Sequence, residues 1–101
     1  MIEHVENEVR FEELIKGERV LVDFFATWCG PCKMLSPVIE QVANEHPELV
    51  VVKVDVDELP SIAGKYGIQA IPTLFLMKGG KVVANQMGYL NKNQLENFIN
   101  K

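Results

Sequence analysis

The chain has two cysteines, Cys29 and Cys32, and they lie three positions apart with Gly30 and Pro31 between them. Two thiols at this spacing can close into a small disulfide ring and open again. The pair follows an apolar strand pattern and opens a helical pattern, so Cys29 lies where the unpaired N–H groups of a helix start stabilise a thiolate. We therefore predict that Cys29, expected to be the more exposed thiol, attacks a substrate disulfide. Cys32, one turn further in, then resolves the mixed disulfide.

Gly30, Pro31 and Lys53 are predicted to tune this redox pair. Gly30 keeps side-chain bulk away from the thiol, and Pro31 fixes one φ angle and helps to preset the sulfur geometry. A purely structural disulfide is disfavoured, because so small a ring constrains little unfolded-chain entropy. A structural zinc site needs four ligands, and neither His4 nor His46 has regular ligand spacing to the pair. A metal site would thus require two chains, and we predict neither a metal nor a bound cofactor.

Asp23 is the second informative residue, because it interrupts the apolar run Val20–Ala26. The alternation of a strand points it into the interior, where a lone carboxylate is costly. Two interpretations stay open. Asp23 is either a structural carboxylate bonded to backbone or water, or a general base with a raised pKa that takes the proton from Cys32. Lys53, on the strand expected to run beside it, can pair with Asp23 directly or through water.

Two apolar features near the cysteines also have two interpretations each. Pro72 stands directly before a strand, which suits its missing N–H, but the Ile71–Pro72 bond can also be a cis bond held by the fold. Trp28 precedes Cys29 and is either a core side chain or a shield and contact surface beside the thiol.

Composition limits the classes of partner. The chain has 101 residues, 48% hydrophobic and 24% charged, with a net charge of −4, as expected for one globular domain over residues 1–101. It has no basic run for nucleic acid and no apolar run of the ~20 residues that span a bilayer. No signal peptide is visible, so we expect a cytoplasmic protein, and in that compartment a close cysteine pair is more often catalytic or metal-binding than structural.

The elements that must position these residues follow from hydrophobic periodicity and turn residues. The strands are predicted at Ile2–Val5, Val20–Ala26, Leu49–Val54, Thr73–Lys78 and Lys81–Ala84, the last two as a hairpin around Gly79-Gly80. The helices are predicted from Asn7 to Gly17, from the cysteines to His46, from Pro60 to Gly67, and after an Asn91–Gln94 capping box. This order implies an α/β fold, with a central mixed five-stranded sheet, a short first strand and four flanking helices.

Several segments together resemble the thioredoxin family, and the resemblance covers nearly the whole chain. They are Val22–Lys33, Pro37, Lys53–Asp57, Tyr66–Ile68, Ile71–Thr73 and Gly88. The resemblance implies a thioredoxin fold and a reductant of disulfide-containing proteins. It also implies re-reduction by a thioredoxin reductase, either an NADPH-dependent flavoprotein or a ferredoxin-linked one.

The same resemblance implies a cis Ile71–Pro72 bond packed against the disulfide. It further implies an apolar docking surface of Trp28, Gly30, Pro31, Ala70, Ile71, Pro72, Met87, Gly88 and Tyr89. We expect a monomer that carries electrons between proteins. The alternative is a thioredoxin-like binding subunit that clamps a partner with this surface and never needs its thiols.

Overall fold

A computed structural model of the chain describes all of residues 1–101. It contains five strands and four helices in the predicted order. The strands are β1 (Ile2–His4), β2 (Val20–Phe25), β3 (Val50–Asp55), β4 (Thr73–Lys78) and β5 (Lys81–Met87). The helices are α1 (Glu8–Leu14), α2 (Gly30–Glu45), α3 (Pro60–Lys65) and α4 (Lys92–Ile99). None of these helices is both long and apolar enough to cross a membrane.

The five strands form one mixed sheet in the order β1-β3-β2-β4-β5. β1 and β2 both run parallel to β3, whereas β4 runs antiparallel to β2 and β5 antiparallel to β4. The predicted combination of parallel crossovers and a closing antiparallel hairpin is confirmed. Because β2 is the central strand, its carboxyl end delivers the following cysteines to the middle of one edge of the sheet.

Apolar side chains cover both faces of this sheet. Leu21 of β2 belongs to a core shared with α2 and α4, while Val20 and Val22 belong to a second core shared with α1 and α3. Successive strand residues point to opposite faces. Asp23, two residues after Leu21, therefore points to the face covered by α2, the helix that carries the cysteines.

Helix α2 begins at the cysteine pair and buries one stripe of its surface. Its buried side chains beyond the first turn are Leu35, Ile39, Val42 and Ala43, which recur at helical spacing on the sheet side. The helix ends at Glu45 with His46 as its C-cap, as expected before Pro47.

The hairpin differs from the prediction in the length of its second strand. β5 was expected to end at Ala84 but extends to Met87, because its backbone pairs with β4 as far as Thr73. The polar residues Asn85 and Gln86 carry little strand propensity of their own, so the pairing partner decides their conformation. The turn itself is as predicted, with positive φ angles of 59° and 82° at its two glycines.

Candidate active site

The two cysteines are joined by a disulfide at the start of α2, with their Cα atoms 5.2 Å apart. Cys29 is the N-cap of the helix, and its Sγ accepts a hydrogen bond from the backbone N–H of Cys32 at 3.2 Å. The same N–H would stabilise a thiolate on Cys29 after reduction. A Cβ atom added at Gly30 would meet nothing within 4 Å, so the approach over the first turn is open.

The expectation that Cys29 is the more exposed cysteine is wrong. Cys29 is 4% exposed and Cys32 is 5% exposed, so both are buried. They pack with Ala26 in a small apolar cluster that is covered by Phe25, Val56 and Ile71. Residue exposure does not distinguish the two cysteines, whereas the helix cap does, because only Cys29 Sγ accepts a backbone N–H.

Asp23 is buried beside Lys53, as predicted. The two residues lie in register on β2 and β3, and Lys53 Nζ is 3.5 Å from Asp23 Oδ2. Asp23 is 1% exposed, and its other oxygen, Oδ1, has no hydrogen-bond partner. Burial raises the pKa of Asp23 to about 6, although the nearby Lys53 ammonium acts in the opposite direction.

Lys53 connects this carboxylate to the cysteine helix. Its Nζ donates a hydrogen bond to Ser36 Oγ at 2.8 Å and lies 5.0 Å from the centre of the Phe25 ring. Cys32, Ser36 and Lys53 line one cavity of about 340 Å³. Ser36 was not predicted as a site residue, yet its position four residues after Cys32 places it on the same helix face.

Trp28 is a surface residue, which rules out the interpretation as a core side chain. It is 69% exposed, and its indole N–H donates to Asp57 Oδ2 at 2.8 Å. The indole also lines a cavity of about 200 Å³ together with Val56, Ile68, Gln69, Ala70 and Ile71. Asp57 was missed as a site residue, because nothing in local spacing connects it to a tryptophan 29 positions earlier.

The Ile71–Pro72 peptide bond is cis, as the resemblance implied. Ile71 packs against the disulfide cluster, and Pro72 is buried beside it in the chain. Gly88, at φ 91°, donates its N–H to the carbonyl oxygen of Pro72 at 2.8 Å. A residue with a side chain rarely adopts this φ, so the glycine is what lets the chain after β5 close on Pro72.

The closest contacts of both histidines are to groups other than the sulfurs. His46 Nε2 lies 2.7 Å from Glu96 Oε2, and the ring of His4 packs edge-on against Phe25 at 5.9 Å between centres. No three His, Cys, Asp or Glu side chains converge on a position that could hold a metal ion.

Comparison with known proteins identifies this arrangement. The Thioredoxin family model matches residues 2–101. A thioredoxin of Chlorobaculum thiosulfatiphilum is 47% identical over 98% of this chain and 93% of its own length. One of Chlamydia trachomatis is 46% identical over 100% of this chain and 98% of its own. The solved thioredoxin of Plasmodium falciparum superposes with a TM-score of 0.91 at 36% identity, covering 97% of this chain and 96% of that one. The chain belongs to the thioredoxin family, with its disulfide at the Cys-x-x-Cys position of that family.

Proposed function

We propose that this thiol–disulfide oxidoreductase reduces protein disulfides in two steps, with Cys29 as nucleophile and Cys32 as resolving thiol. The Cys29 thiolate attacks one substrate sulfur, forms a mixed disulfide and releases the other substrate sulfur as a thiolate, which takes up a proton. The Cys32 thiolate then attacks Cys29 Sγ and expels the second substrate thiol. The substrate gains two electrons and two protons, and the protein is left with its Cys29–Cys32 disulfide.

Asp23 is the proton acceptor for Cys32 in this proposal. A carboxylate with a pKa of about 6 is ionised at neutral pH and still basic enough to take a proton from a thiol. The ion pair with Lys53 keeps that carboxylate charged in an apolar interior. Both Cys32 and Lys53 border the same cavity, which offers a route for the proton.

Substrate docking is assigned to the exposed Trp28 and to the chain around Ile71, Pro72 and Gly88. Trp28 and Ile71 border one apolar cavity, and Ile71 packs on the disulfide cluster. An extended segment carrying a disulfide would therefore reach the sulfurs across an apolar surface. The partners we propose are disulfide-containing proteins and a thioredoxin reductase that restores the dithiol.

The wider setting proposed for the protein is that of a small electron carrier. Residues 1–101 would act as one domain and as a monomer in the cytoplasm, with no bound cofactor beyond the redox-active disulfide. The net charge of −4 and the lack of a basic run argue against nucleic acid as a partner.

The observation that carries the two-step proposal is the helix cap, in which Cys29 Sγ accepts the N–H of Cys32. The test is reduction of a protein disulfide by the Cys29→Ser and Cys32→Ser variants. We expect Cys29→Ser to form no covalent intermediate, and Cys32→Ser to accumulate a mixed disulfide through Cys29 that mass spectrometry identifies. Accumulation on Cys32 in the Cys29→Ser variant would reverse the assignment.

The binding-subunit alternative predicts a different outcome for the variant that lacks both thiols. If the protein acts by clamping a partner, the variant with both cysteines replaced by serine still binds that partner and keeps its function in the cell. If the protein acts as a reductant, that variant retains its fold but no longer reduces protein disulfides.

A further inference from the structure

We propose that Ser36 is a positioning residue of the redox site, whose hydroxyl holds the Lys53 ammonium away from the Asp23 carboxylate. This inference rests on the proposed role of Asp23 as proton acceptor for Cys32. Ser36 touches neither sulfur in a hydrogen bond, so it would act on the reaction only through the Lys53–Asp23 pair.

Two distances carry the argument. Lys53 Nζ lies 2.8 Å from Ser36 Oγ, within ordinary hydrogen-bond range, but 3.5 Å from Asp23 Oδ2, beyond the optimum. The ammonium thus gives its short hydrogen bond to the neutral hydroxyl and leaves the carboxylate a longer ionic contact. Asp23 Oδ1 accepts no hydrogen bond from another group of the protein.

Two neighbouring elements, β1 and α2, bring polar groups near this pair. His4 of β1 lies in register with Lys53 and lines the same cavity, as do Cys32 and Lys33 of α2. On the other side Asp23 is paired in register with the apolar Leu74 of β4. Lys53 is the cation within salt-bridge distance of Asp23, so its exact position controls the affinity of that carboxylate for a proton.

Removing the hydroxyl should therefore tighten the ion pair. In Ser36→Ala the ammonium loses its short acceptor, and Asp23 Oδ2 becomes its nearest oxygen partner. A closer positive charge lowers the pKa of Asp23, by about one pH unit for a contact that shortens to hydrogen-bond length. A weaker base takes the Cys32 proton more slowly, and we expect the resolving step to slow about three-fold at neutral pH.

The experiment follows the carboxyl ¹³C shift of Asp23 with pH in the full-length oxidised protein. Ser36→Ala is compared with Ser36→Thr, which keeps a hydroxyl at this cavity-lining position, and with Ser61→Ala as a matched control. Ser61 is an exposed helical serine on α3, away from the Asp23–Lys53 pair. The pH profile of mixed-disulfide resolution is recorded on the same variants.

In Ser36→Ala we expect a lower midpoint for the titration of Asp23, and the acid limb of the pH profile for mixed-disulfide resolution should move to lower pH with it. Ser36→Thr should restore both to the wild-type values, and Ser61→Ala should leave both unchanged. An unchanged Asp23 midpoint in Ser36→Ala, or an equal shift in Ser36→Thr, would overturn the proposal. Asp23→Asn separates this outcome from failure of the proposed function. If Asp23→Asn leaves resolution at full rate while Ser36→Ala still moves the midpoint, Ser36 positions the pair but Asp23 is not the base.

Discussion

The buried Asp23 carboxylate is the residue at which stability and reactivity conflict. An ion pair at 3.5 Å does not offset the loss of water around a carboxylate that is 1% exposed. The net result is a raised pKa, which means that the folded state resists ionisation of this group. The same resistance makes the carboxylate a better proton acceptor for a neighbouring thiol.

Asp23→Asn should stabilise the fold at neutral pH and slow resolution by Cys32. The pKa of Asp23 is raised from 3.8 to about 6, so the folded state binds the proton more tightly than the unfolded state. Its stabilising contribution is present below pH 3.8 and is lost as pH rises through about 6. Removing the charge should therefore raise the free energy of unfolding at pH 7 by about 2 kcal/mol, allowing for the unpaired Lys53.

Urea unfolding of the oxidised protein at pH 7 and pH 4 measures this effect. The gain in the variant should shrink strongly at pH 4, where the wild-type carboxyl is largely protonated in the folded state. A gain of equal size at both pH values would show that ionisation is not its cause. Unchanged thiol-exchange kinetics in the variant would remove the proposed role of Asp23 as base.

The hydrogen bond from Trp28 to Asp57 should matter for binding more than for chemistry. It fixes the orientation of the indole of Trp28, a residue that is 69% exposed. In Asp57→Ala the freed ring must be ordered on docking, and we expect KM for a protein disulfide to rise about three-fold. Glu58→Ala removes the same charge from the next, exposed position and serves as the control. A slower resolving step in Asp57→Ala, with KM unchanged, would show that the hydrogen bond acts on the chemistry and not on substrate binding.

At the scale of elements, the strand–helix step from β2 into α2 and the end of β5 build the site together. The first places the N-cap of α2 at the carboxyl edge of the central strand, and the second returns the chain to Pro72. The returning segment depends on Gly88, whose N–H bonds to the Pro72 carbonyl at a φ of 91°.

Gly88→Ala should destabilise the protein by about 1–2 kcal/mol, because alanine at this φ is strained although no atom lies near its Cβ position. Gly64→Ala is a matched control, since Gly64 is exposed within α3 and a Cβ there also meets nothing within 4 Å. Because Gly64 has ordinary helical backbone, Gly64→Ala should stabilise the protein by up to about 1 kcal/mol. Thermal unfolding of both variants compares them directly, and equal effects would argue against backbone strain at Gly88.

At the scale of the molecule, the sequence predicts those features of the fold and the site that depend on local sequence patterns. Element order, the capping of α4 by Asn91 and the pairing of Asp23 with Lys53 follow from periodicity, turn residues and strand alternation. Burial of both sulfurs and the Trp28–Asp57 hydrogen bond were not predicted. These contacts involve Val56, Asp57 and Ile71, which lie outside the strands, so strand register does not predict them and they depend on how the connecting segments pack.

The two ends of the sheet also differ in function, because one end carries the redox site and the other carries contacts that stabilise the fold. Arg19 precedes β2, at the end opposite to the cysteines. Its guanidinium bonds the carbonyl of Ile99 at 3.0 Å, Glu48 at 2.8 Å and Asn100 at 3.1 Å. These three bonds tie the start of the central strand to the turn before β3 and to the end of α4.

Arg19→Ala should therefore lower stability without changing the redox chemistry. The loss of three hydrogen bonds from a partly buried guanidinium should cost about 1–2 kcal/mol in the free energy of unfolding. The rate of protein-disulfide reduction should stay at the wild-type value, because Cys29, Cys32 and Asp23 lie toward the other end of β2 and α2. Arg10→Ala is the control, since its exposed pair with Glu3 should contribute little. Urea unfolding and a reduction assay on the same samples test both halves, and a parallel loss of rate at Arg19 would show that the two ends of the sheet are coupled.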